Sequence, residues 1–119
     1  MNKSKAKGTA WETAVVEYLK NKGINCERRA LNGADDRGDI VIFDRPSLVL
    51  ECKSEKAFNL SSYMAETAAE VFNAGGDFGV TILKAPRKSV GKAYVILEFD
   101  SFIDDVLIDM VMPRSRKKK

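Results

Sequence analysis

The chain is 119 residues long, with 20 lysines and arginines against 17 aspartates and glutamates, no histidine, and a net charge of +3. That length suits one domain with a single core, and no apolar run reaches the roughly 18 residues of a membrane span. The opening MNKSKAKGTAWE lacks the apolar stretch of a secretory signal, so a cytoplasmic protein is expected. Without histidine, Ser-His-Asp hydrolysis, histidine-based nuclease chemistry and most zinc sites drop out. Catalysis would fall to carboxylates, lysine, hydroxyls or thiols, and any metal would be a hard cation held by oxygen.

In chain order, residues 1–7 read as a disordered basic head. Residues 8–22 read as a helix with Trp11, Ala14, Val15, Tyr18 and Leu19 at helical spacing, Thr9 as cap and Gly23 closing it. Residues 24–31 form a first strand, and NGADDRG a polar loop. Residues 39–43 and 48–53 are two further strands joined by the short turn DRPS, hence an antiparallel hairpin. Ser61 or Ser62 caps a second helix running to about Asn73, with Met64, Ala68, Val71 and Phe72 on its buried face and Gly75-Gly76 ending it. Residues 78–84 and 93–98 are two more strands around a basic loop.

Phe99, Phe102, Ile103, Val106, Leu107, Met110 and Val111 then outline an amphipathic helix, closed by Pro113. The order α-β-β-β-α-β-β-α predicts an α/β fold with a central mixed five-stranded sheet flanked by helices. Residues 8–112 make up the single domain and 113–119 a basic tail. Cys26 and Cys52 sit in strands without metal-ligand spacing and read as buried free thiols, as Trp11 reads as core.

The charge is uneven. Lys3, Lys5 and Lys7 head the chain and Arg114 to Lys119 end it; the acids gather around Asp100, Asp104, Asp105 and Asp109. Lys7, Arg28, Arg29, Arg37, Lys84, Arg87, Lys88 and Lys92 are candidates to meet a polyanion, and contacts of that kind position a nucleic acid without reading its bases. Each taken alone also reads as an ordinary solvated charge.

The informative segment is Gly38-Asp39, eleven residues, then Glu51-Cys52-Lys53. Strand alternation puts Glu51 and Lys53 on one face and Cys52 on the other. Antiparallel pairing brings Asp39, at the start of one strand, beside the end of the next. Two adjacent carboxylates repel, and burial worsens the repulsion. A divalent cation relieves both, activates a bound water and stabilises charge on a phosphoryl group, with lysine orienting the water or neutralising developing charge. The plainer reading is a turn aspartate and a solvated Glu-Lys pair, since a bare D…ExK match is common.

The set Lys7-Gly8, Glu12, Gly33, Gly38-Asp39, Glu51-Cys52-Lys53 and the stretch NAGGDFGVTILK at 73–84 resembles the PD-(D/E)XK nuclease superfamily. Within it, the set most resembles the small archaeal-type and phage Holliday junction resolvases, over about residues 7 to 100. The resemblance implies a restriction-endonuclease-like core and a Mg²⁺-dependent endonuclease, with Mn²⁺ able to substitute. The protein would work as a homodimer on branched DNA in a bacterial, archaeal or phage-infected cell. By position, Asp39, Glu51 and the Cys52 carbonyl would hold the metal, Lys53 would be the catalytic lysine, and Glu12 would complete the site. A glutamate in a helix's first turn is also favoured by the dipole alone. Gly38 stands where the motif's name has proline, and Asn32, Asp35 and Asp36 stand in the loop where some resolvases carry a serine. The alternatives are another nuclease of the superfamily or a DNA-binding domain with a silent site.

Overall fold

The structure is a computed structural model that describes residues 3–29 and 38–112. Five strands form one sheet in chain order: β1 (Cys26–Arg28), β2 (Ile40–Ile42), β3 (Leu48–Lys53), β4 (Phe78–Leu83) and β5 (Tyr94–Ile96). All neighbours are antiparallel except β3 and β4, which run parallel through six paired residues from Leu48↔Phe78 to Lys53↔Leu83. The parallel step needs a crossover, and α2 (Leu60–Ala74) supplies it. The fold is therefore α/β with a mixed five-stranded sheet, as the element order predicts.

Helix α1 (Lys3–Asn21) covers one face of the sheet. Trp11, Val15 and Val16 pack there with Cys26, Ile40, Leu50, Cys52 and Val80. The Trp11 indole N–H donates to the Ile82 carbonyl at 3.1 Å, which ties helix to sheet. The expected disorder is corrected over residues 3–7, and the cap at Thr9 with it, because the helix already runs from Lys3; Met1 and Asn2 lie outside the described residues. Lys and Ala are good helix formers, and nothing before Gly8 breaks the turn. Cys26 and Cys52 are buried free thiols.

Helix α2 covers the opposite face, with a side that only partly overlaps the expected one: Met64 and Val71 are half-buried. Its buried residues are Tyr63, Thr67 and Glu70, whereas Ala68 is exposed and Phe72 is 85% exposed. The sheet face beneath presents Glu51 and Thr81 as well as Val49, so a polar stripe matches it better than an apolar one. Thr67 and Thr81 share a buried hydrogen bond of 3.0 Å. The cap is Asn59, whose side chain accepts from the Ser62 N–H, rather than Ser61 or Ser62.

The C-terminal segment is helical as expected, but in three parts: α3 (Phe99–Phe102), a π-helical stretch (Ile103–Leu107) and α4 (Ile108–Val111). None of its residues is buried, and Phe99 and Met110 are about three-quarters exposed. With α1 and α2 already on the two sheet faces, its apolar stripe has no sheet left to cover. Among the described residues no helix is long and apolar enough to cross a membrane. The tail at 113–119 lies outside the described residues.

Helix α2 approaches the sheet most closely over Gly79. A Cβ there would meet a methyl of Thr67 and a methyl of Val71, each at 2.7 Å. Gly79→Ala is therefore expected to lower unfolding free energy by about 1–3 kcal/mol, the usual cost of overpacking, in urea titration. An unchanged midpoint would show that α2 is not seated this closely.

Candidate active site

Glu51, Cys52 and Lys53 end β3, and the residues alternate as strand geometry requires. Cys52 joins the core under α1, while Glu51 and Lys53 face α2. Asp39 lies where β2 and β3 part, just after Gly38, whose φ of +99° favours glycine; a Cβ there would also sit 2.9 Å from Val49. At this fork a side-chain carboxylate serves as main-chain acceptor: Asp39 Oδ2 takes the Cys52 N–H at 2.7 Å. The Asp39 N–H donates to the Leu50 carbonyl, and its own carbonyl accepts from Arg29. Asp39 is thus pinned to the peptide between Glu51 and Lys53.

Glu51 is 7% exposed, and its Oε1 has no hydrogen-bond partner. Burial pushes its pKa far above the usual carboxylate range; a hydrogen bond that the protonated Glu51 donates to Glu70 and the charges of Asp39 and Glu70 add to the rise, with Lys53 opposing. Glu70, 4% exposed on α2, had no place among the sequence candidates. Two hydrogen-bonded carboxyls need a proton between them, so this pair is stable only when at least one member is neutral or a cation stands beside it.

Lys53 sits among acids. Its Nζ lies 2.5 Å from Glu66 Oε1 and 3.7 Å from Glu51 Oε2, over the ring of Tyr63. Burial works to lower its pKa, but the hydrogen bond to Glu66 and the charges of Glu51, Glu66 and Glu55 outweigh it, so the amine is held charged. Tyr63, Glu66, Thr67 and Glu70 stand at i, i+3, i+4 and i+7, one face of α2 aimed at β3 and β4. This polar stripe is legible in the sequence as a helical repeat, but it competes with the apolar repeat Met64, Ala68, Val71 and Phe72.

Glu12 occupies the third turn of α1, so the first-turn dipole cannot explain it. Its carboxylate pairs with the Arg28 guanidinium at 3.0 Å. Glu12, Arg28, Arg29 and Asp39 line one cleft of about 500 Å³ together with Lys5, Gly8 and Thr9. Inside it the Arg29 Nε is buried without a hydrogen bond. Lys7, Lys84 and Arg87 line a second cleft, beyond the end of β3. Lys88 is exposed and Lys92 ends the short 3₁₀ turn Val90–Lys92; neither lines these two clefts. Gly33, Arg37, Asn32, Asp35 and Asp36 fall outside the described residues.

Among the described residues no three His, Cys, Asp or Glu side chains converge as a metal cage. The donors nearest the fork are the Asp39 and Glu51 carboxylates, with main-chain oxygens around Cys52. A tetrahedral zinc site needs more. Mg²⁺ does not, since it keeps several waters and is held by one or two carboxylates. The unpartnered Glu51 Oε1 suits a cation of that kind. Comparison of the chain with family models, with curated proteins and with solved structures returned no significant match.

The raised pKa of Glu51 sets a pH dependence. The folded protein holds this proton more tightly than the unfolded chain, where the group titrates near its ordinary value of 4.5. Stability is therefore intact below that value and falls as pH rises, because the folded state then binds more protons. In EDTA, urea unfolding from about pH 5 to about pH 8 is expected to show this decline, and Glu51→Gln to remove it, leaving the variant the more stable protein at the upper end. Parallel pH profiles for the two proteins would show that Glu51 is ionised in the fold.

Proposed function

We propose that the chain is a metal-dependent DNA endonuclease of the PD-(D/E)XK type that hydrolyses phosphodiester bonds with Mg²⁺, or Mn²⁺ in its place. The observation that carries this reading is the β2–β3 fork: Asp39 hydrogen-bonded to the Cys52 amide, and Glu51 buried beside it with a free carboxyl oxygen. Such a pair is costly in an apolar fold without a cation.

In this reading Asp39, Glu51 and the Cys52 carbonyl hold the metal. The bound metal supplies an acidified water and charge stabilisation at the phosphoryl group. Lys53, kept protonated by its pairing with Glu66, would contribute a positive charge toward the attacked phosphate. Arg28 and Arg29 present guanidinium groups in the cleft they share with Asp39, where phosphate oxygens would be held. Glu12 would complete the metal site by the resemblance; its carboxylate is paired with Arg28, and substrate phosphate competing for that arginine would free it.

The substrate class is proposed as branched DNA, above all the four-way junction, on the resemblance of the Lys7-Gly8, Glu12, Asp39 and Glu51–Lys53 set. Two opposed cuts on a near two-fold substrate call for two copies of a chain with one site. The exposed Phe72, Phe99, Met110 and Val111 offer apolar surface for such a homodimer. The Glu12–Arg28 pair, which engages one expected ligand, favours a second reading, a DNA-binding domain with a silent site.

The test is incubation with labelled four-way junction, flap and linear duplex, in Mg²⁺ or EDTA. Paired symmetric nicks on the junction alone are expected, and only with metal. Equal cutting of all three DNAs would point to a general nuclease; tight binding without cutting in any divalent metal would leave the silent-site reading. Asp39→Asn is expected to lower cutting by about 10²-fold or more while junction binding persists. The substituted amide oxygen still accepts the Cys52 N–H, so the fork is kept. Normal cutting by this variant would remove Asp39 from the site.

A further inference from the structure

The second cleft, of about 230 Å³, is lined by Lys7, Ser54, Glu55, Lys56, Lys84, Pro86 and Arg87. Four cations surround one acid, and that acid is engaged: Glu55 accepts the Tyr63 hydroxyl at 2.6 Å. Among the described residues none of the four cations is in an ion pair. Lys84 lies over the Trp11 ring, one helical turn from Lys7, which draws two like charges together. All four are exposed, and together they raise a local positive potential that attracts an anion.

A second observation is independent of charge. Arg87 has a φ of +61° and is the non-glycine residue with positive φ among those described. Lys88 N–H donates to the Ala85 carbonyl, so Ala85-Pro86-Arg87-Lys88 is a tight turn with proline second and arginine third. Glycine is the usual choice at that third position. Ala85, only 1% exposed, anchors the turn in the core. Strain of this kind persists where a side chain is needed, and here the side chain is a guanidinium facing the cleft.

The cleft also continues from the fork. Ser54 follows Lys53 directly, and the Lys84 N–H donates to the Lys53 carbonyl at 2.9 Å. The N-terminal turns of α1 separate it from the Asp39 cleft, with Lys7 on one side and Lys5, Gly8 and Thr9 on the other.

We propose that this cleft is a binding site for one phosphodiester unit of a nucleic-acid strand leaving the fork, held by Lys7, Lys56, Lys84 and the strained Arg87. Its size admits a phosphate with its sugar and not a paired duplex. The proposal rests on the nuclease reading for the identity of the anion and adds Lys56 and the Arg87 turn to its contacts.

The test is anisotropy of a fluorescein-labelled single-stranded DNA oligonucleotide over a salt series in EDTA, where cleavage plays no part. Wild type is expected to bind. Arg87→Gly is expected to melt at or above the wild-type temperature, since glycine relieves the turn, yet to bind roughly fivefold or more weakly. The slope of log K against log salt should fall by about 1 for Arg87→Gly and again for Lys56→Ala. Lys20→Ala, a control on the far end of α1, should bind as wild type. Wild-type affinity and slope in both cleft variants would overturn the proposal. So would an equal loss in the Lys20 control, or displacement by poly-glutamate as readily as by oligonucleotide, which would assign the cleft to acidic proteins. Binding that depends on the cleft while no DNA is cut in Mg²⁺ would keep this site and reject the nuclease reading.

Discussion

A carboxyl group buried against other carboxyl groups is the constraint around which this fold is organised. Glu51 enters the sheet interior on β3 with Glu70 above it and Asp39 at its side. An apolar side chain at 51 would pack under an ordinary amphipathic helix. A glutamate there instead requires a helix whose inward face is polar, and α2 has one in Tyr63, Thr67 and Glu70. Lys53 offsets part of the charge, and Glu66 in turn holds Lys53. Each polar residue on this face explains the next, so the cluster behaves as a unit and not as separate surface charges.

The two faces of the sheet divide the work. Under α1 lie Trp11, Val15, Val16, Ile40, Leu50 and Cys52, a dry core that fixes the position of β3. Under α2 lies the ionisable cluster. Alternation along β3 lets successive residues meet opposite surroundings: Leu50 and Cys52 pack in the core under α1, and Glu51 and Lys53 face the polar stripe of α2. The Asp39 carboxylate links them by accepting the Cys52 amide at the fork.

Much of this was legible in the sequence because it depends on local periodicity. The hairpin of β2 and β3, the alternation of Glu51, Cys52 and Lys53, and the burial of Trp11 all follow from strand or helix repeats. The parts that were not legible depend on what lies opposite. Helix α2 carries two stripes of equal regularity, and the apolar one is the natural choice; the polar face of β3 and β4 turns the helix toward Tyr63, Thr67 and Glu70, keeping Met64 and Val71 at the edge of the contact and leaving Ala68 and Phe72 exposed. Glu70 and Glu66 went unnoticed for the same reason. Glu12 reads as a first-turn residue when Thr9 is taken as the cap, yet the helix runs through both Gly8 and Thr9. In the C-terminal segment the helical repeat is legible, but what its apolar stripe packs against is not, because that depends on which sheet faces α1 and α2 already cover.

The close seating of α2 over Gly79 has a mechanical consequence. With methyl groups of Thr67 and Val71 resting where a Cβ would lie, the helix has little room to slide along β4 or rock toward β3. Glu70 cannot retreat from Glu51 by moving its backbone. The crowding of their charges is therefore relieved by a proton held between them, or by a cation in the proposed reading, while the scaffold around them stays fixed. In that sense the rigidity of a glycine contact on one strand decides that the tension on its neighbour is resolved by chemistry and not by motion.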